Sequence, residues 1–87
     1  MQIVNACVTK NLAACGHIEK VNSIYSWQGE VHEKTEWRVL LKTVAASYQA
    51  IEALIVSLHS YEEPAVLAIP VSHGRRSYLD WIEAHSS

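Results

Sequence analysis

Seven side chains in this sequence are of the soft, metal-binding kind: His17, His32, His59, His73 and His85, with Cys7 and Cys15. Imidazole nitrogen and thiolate sulfur suit copper and zinc, but a site needs several donors brought to one point. No two histidines stand four apart, as one helix face would require, and spacing makes no Cys/His pair adjacent. The two cysteines lie eight apart in a segment that reads as helix. Eight helical residues rise about 12 Å, beyond disulfide reach. Both are therefore read as reduced, small, buried apolar groups. His73-Gly74 with Arg75 and Arg76 precedes an expected helix, where free N–H groups favour a small anion; the plainer reading is a cap, a turn and two solvated arginines. There is no Gly-x-Ser-x-Gly, no Walker loop and no carboxylate pair that stands out, so no catalysis is expected. Trp27, Trp37 and Trp81 read as packing and interface anchors.

The elements that must position these groups follow from periodicity. Residues 2–15 read as a helix with Val4, Val8 and Leu12 stacked on one side, and Gly16 suits a left-handed terminating residue. Residues 18–27 and 30–43 read as two strands about the turn Trp27-Gln28-Gly29-Glu30. On the second, Val31, Thr35, Trp37, Val39 and Leu41 share one parity and Glu36, Arg38 and Lys42 the other, predicting a dry and a wet face. Leu40 breaks the alternation, so this strand's end is expected to be covered on both sides. Residues 46–59 read as a second helix with Tyr48, Ile51, Leu54, Ile55 and Leu58 on its apolar face. The apolar run 65–71 reads as a strand ending near Pro70. Residues 75–85 read as a last helix with Tyr78, Leu79, Trp81 and Ile82 inward.

The chain is one domain of 87 residues, expected to span 1–87 undivided. At that size folding removes only about 60–65% of the unfolded surface, so support from metal, disulfide or assembly is expected. Hydrophobic residues make 49% and charged residues 18%, which excludes a disordered charged tail. A net charge of −2 argues against nucleic acid, whose binders carry a basic surplus. No apolar run approaches the roughly 18 residues of a membrane span, and the first residues lack a secretory pattern. A cytoplasmic location is expected.

The order helix, strand, strand, helix, strand, helix becomes βαββαβ plus a closing helix if one strand is prefixed, the ferredoxin-like α+β arrangement. At this point NLAACGHIEKVNSIYSWQGEVHEKTEWRVLLKT resembles the core of the CutA divalent-cation tolerance proteins. The carriers are LAAC at 12–15, then Tyr25, Trp27 and Gly29, then Glu36 and the LKT at 41–43. YEEPAVLAIPVSHGRRSYLDWI matches the family's later blocks through Tyr61, Glu62, Pro64, Pro70, Val71, Gly74, Tyr78, Leu79 and Trp81. The likeness covers nearly all of residues 2–82.

The resemblance implies a compact homotrimer whose long hairpins extend between subunits, with Tyr25, Trp27, Trp37 and Trp81 at the interface. It implies a role in tolerance of divalent cations, notably copper, by binding and assembly. The family's first strand has no counterpart here, so its place in the sheet is expected to be vacant, or filled by a neighbouring subunit's strand or by residues 1–4 in extended form. Of the ligands proposed for copper in the family, His59 alone has a match; His59 or His73 would meet metal weakly, with threefold symmetry gathering three copies. Lys42, Tyr61, Glu62 and Arg75 are expected near an inter-subunit cleft. The alternative is a PII-like signalling trimer that binds a small metabolite or anion there. No cofactor is required on either reading.

Overall fold

The computed structural model of the chain describes residues 2–58 and 64–86. Helix α1 (Gln2–Thr9) is followed by strands β1 (Cys15–Trp27) and β2 (Glu30–Lys42), a 3-10 turn at Ala45–Ser47, and helices α2 (Tyr48–Leu58) and α3 (Arg76–Ala84). The class is α+β, as expected.

The first helix stops well before Gly16. Asn11 takes the left-handed conformation (φ 58°), the Asn11 amide donates to the Val8 carbonyl (3.1 Å) and the Leu12 amide to the Cys7 carbonyl (2.9 Å). This is the Schellman arrangement, in which two orphan carbonyls of the last turn are satisfied beyond the helix. Leu12 and Cys7, the residues it brings together, both belong to the core. Gly16 lies instead within β1, outside the left-handed region, and its lack of a side chain serves packing: a Cβ there would collide with Val4 Cγ1 of α1 and approach Leu41 Cδ2 to 3.2 Å. Cys15 is thus a strand residue, not a helical one, and is half-buried where full burial was expected; both thiols are free.

The two strands pair antiparallel in unbroken register from Cys15↔Lys42 to Trp27↔Glu30. Gln28 and Gly29 both have positive φ (52° and 80°), the requirement of a type I′ two-residue turn, whose twist matches that of the strands it joins. Thirteen residues at about 3.3 Å each give a ribbon of about 43 Å, which accounts for the molecule's 46 Å long axis.

The core sits at the foot of this ribbon. Cys7, Ala13 and Ile51 are buried, with Ile3, Leu12, Leu41, Leu54 and Ile55 packed around them. Of the predicted dry face of β2, Val39 and Leu41 are half-buried while Val31, Thr35 and Trp37 are exposed, because α1 and α2 reach only the ribbon's foot. Leu40 is exposed too, correcting its expected cover on both sides. Leu58, Tyr78, Leu79 and Trp81, expected inward, are likewise exposed.

Residues 65–71 form no strand. Among the described residues β1 and β2 pair only with each other, and a strand is defined by a neighbour that accepts its hydrogen bonds. Leu67 and Ile69 stand 87% and 84% exposed. Residues 2–4 are helical, which corrects the alternative that they run in extended form.

Candidate functional site

Cross-strand partners share a face of the ribbon, and alternate residues along a strand return to it. Gly16, Ile18, Val39 and Leu41 make the face turned to α1. Cys15, His17, Glu19, Arg38, Leu40 and Lys42 make the opposite one. On this second face four chemistry-bearing groups converge near the core end.

Lys42 Nζ donates to Tyr78 Oη at 2.9 Å and lies 5.1 Å from that ring's centroid. The bond to Tyr78 is the main reason the Lys42 ammonium holds its proton above the usual lysine range; partial desolvation opposes it, and the neighbouring Tyr78 and Cys15 charges add to it. Tyr78 stacks on Trp81 (5.7 Å) and Trp81 meets His85 (5.1 Å), so α3 carries an aromatic ladder that begins at Lys42. Beside Lys42 across the register, Cys15 Sγ lies 3.7 Å from His17 Nε2. One step further out, Glu19 Oε1 accepts from Arg38 Nε (2.8 Å) and Nη2 (2.7 Å). Below the ribbon, the buried Ser47 hydroxyl donates to the Ser86 carbonyl (2.6 Å) and so ties the end of α3 to the start of α2.

The sequence-predicted residues divide sharply. His59, Tyr61 and Glu62 lie outside the described residues. His73 is exposed, its Nδ1 3.1 Å from Ser72 Oγ. Among the described residues no group of three His, Cys, Asp or Glu side chains is placed to hold a metal. Arg75 caps α3 through its backbone, its carbonyl accepting from the Tyr78 and Leu79 amides at 3.0 Å each. Tyr25 stacks on His32 (5.7 Å), Trp27 is exposed at the ribbon tip, and Trp37 has Lys20 Nζ 5.7 Å from its ring.

Sequence reasoning missed the Cys15–His17 pair and the partnership of Lys42 with Tyr78. The statement that no Cys/His pair is adjacent is corrected: with β1 beginning at Cys15, a spacing of two places both side chains on one face. The signal was there in Cys-Gly-His and was hidden by reading residue 15 as helical.

A family model described as CutA1 divalent ion tolerance protein matches residues 1–85. The divalent-cation tolerance protein CutA of Thermus thermophilus is 39% identical over 85 residues, covering 97% of this chain and 82% of the relative. The solved structure of the Thermus thermophilus divalent cation tolerance protein superposes with a TM-score of 0.95 at 38% identity, over 99% of this chain and 84% of that one. A structure described as the PII-like protein CutA from Nostoc, in apo form, superposes with a TM-score of 0.92 at 30% identity, over 99% and 85%. The ferredoxin-like arrangement shared with PII-like proteins therefore holds for this chain. No helix among the described residues is long and apolar enough to cross a membrane.

Proposed function

Because the chain belongs to the CutA1 divalent ion tolerance family, we propose that it works as a homotrimer in the response to divalent metal ions, copper among them, by binding and assembly and without catalysis. The observation that carries this reading is surface. One copy exposes 6954 Å². A compact monomer of 9.7 kDa exposes about 5,100 Å². The excess of roughly 1,800 Å² is what two neighbours would cover at about 900 Å² each, the scale of specific interfaces. The radius of gyration agrees: 14.6 Å against about 12 Å for a compact chain of this length. The uncovered surface is apolar where it matters, with Trp27, Trp37, Leu40, Leu67, Ile69 and Val71 all exposed. Cyclic closure is the usual way to cover such a ribbon without leaving a free edge. The absence of catalysis is in keeping with the tolerance role named for the relatives. A cytoplasmic location is in keeping with two free thiols, whereas the Archaeoglobus fulgidus relative of known structure is described as periplasmic.

A second reading has its own support in the Nostoc structure, described as PII-like. On it, Lys42 and Arg75 line an inter-subunit cleft for a small anion or metabolite. The solution mass at low protein concentration, with and without chelator, tests the assembly. A copper titration followed by mass, beside a panel of nucleotides and anions followed by melting temperature, separates the two readings. A soluble, well-folded monomer at micromolar concentration would refute both.

A further inference from the structure

We propose that Cys15 and His17 form a binding site for a zinc-type divalent cation at the foot of the ribbon. The two donors are 3.7 Å apart, Sγ to Nε2. With zinc–sulfur and zinc–nitrogen bonds of about 2.3 and 2.0–2.1 Å, that separation subtends an angle of about 116° at the metal, near the tetrahedral value. The geometry needs no rearrangement of the backbone, since both residues sit in the ladder of β1. The pair stands on the ribbon face opposite α1, and neither residue is buried. The other thiol is a useful contrast. Cys7 is fully buried, and burial holds it in the neutral form, which does not ligate. His32 instead faces an exposed carboxylate, Glu30, at 3.9 Å and stacks on Tyr25.

Two protein donors leave two positions for water, so the site exchanges its ion rather than locking it in the fold. Lys42, directly across from Cys15, sets a positive charge beside the site that opposes the charge arriving with the ion. The site deepens the cation-tolerance reading and rests on it for the class of ion alone.

Cobalt(II) reports such a site through thiolate-to-metal charge-transfer absorption. Titrating the full chain with cobalt should produce this band, and zinc should displace it. The band should vanish in Cys15→Ser, require several-fold more cobalt in His17→Gln, and persist unchanged in His32→Gln. His17→Gln alters an exposed side chain and carries the test even where Cys15→Ser fails to fold. Absence of the band in the wild type, its survival in Cys15→Ser, or equal affinity in His17→Gln overturns the site. Solution mass on the same samples keeps the two ideas apart: a trimer without the band sinks the site alone, and the band in a monomer sinks the assembly alone.

Discussion

Replacing Gly16 by alanine tests how tightly α1 is seated on the ribbon. Gly16 has no positive φ, so the backbone accepts alanine, and the shorter list of unfolded conformations stabilises the variant by about 0.4–1 kcal/mol. Against this, the new methyl meets Val4 Cγ1 head on and comes within 3.2 Å of Leu41 Cδ2. Leu41 can rotate its terminal methyl aside. Val4 is β-branched and held by its helix, so relief requires α1 to shift. Overpacking of this kind costs about 1–3 kcal/mol, leaving a net loss of about 1–2 kcal/mol. Val4→Ala alone should cost about 1 kcal/mol, since the side chain is half-buried. The double variant should be no less stable than Val4→Ala, because the added methyl occupies the space that valine vacates. The double-mutant cycle therefore carries a favourable coupling of at least about 1 kcal/mol. Urea unfolding of all four proteins at one protomer concentration measures it, the fixed concentration being required by the proposed assembly. A neutral Gly16→Ala, or effects that add within about 0.5 kcal/mol, would refute the close seating of helix on strand.

Three further outcomes are expected. If the proposed trimer holds, Trp37→Glu, which places a charge on the uncovered face of β2, should lower the solution mass from that of three copies toward one; an unchanged mass removes Trp37 from the proposed interface. Ser47→Ala strips the buried Ser86 carbonyl of its donor and should cost about 1–3 kcal/mol in urea unfolding, where a neutral result would show that another group satisfies that carbonyl. Stability should fall as pH rises above about 9: Cys7 is raised by burial, Lys42 by its bond to Tyr78 and Tyr48 by its bond to Glu52, so each contributes stability that is whole below its ordinary value and is lost as pH climbs through the folded one. Cys7 has the lowest ordinary value, 9.0, and Cys7→Ala should flatten the first part of that decline in unfolding midpoint; an identical pH profile would show that the thiol plays no part.

The ribbon was legible in advance because strand parity and a turn glycine are local signals. β1 and β2 each end within a few residues of their expected limits, and Gly29 takes the positive φ assigned to it. The end of α1 was not legible, since Leu12, Ala13 and Ala14 continue the apolar character of the helix while lying beyond it. Apolar periodicity reports burial, and a buried loop closed by Asn11 buries the same residues. That one displaced boundary also concealed Cys15 beside His17. The run 65–71 failed for another reason: its composition suits a strand, but pairing depends on a partner that the run does not itself contain. Lys42 was picked out by resemblance, and its bond to Tyr78 joins residues 36 apart, a relation no local pattern encodes.

The ribbon's unbroken register has a kinetic corollary. Every rung joins residues at most 27 positions apart, and the turn closes the innermost first, so zippering proceeds outward on the microsecond scale of hairpins. The packing of α1 against α2, and the tie from Ser47 to Ser86, join residues further apart in the chain and come later. A newly made chain therefore presents its sticky arm before its own interior has set. Docking between chains then competes with self-completion, and refolding should show a phase that quickens with dilute-to-concentrated protein and gives way to clumping when the chains are crowded.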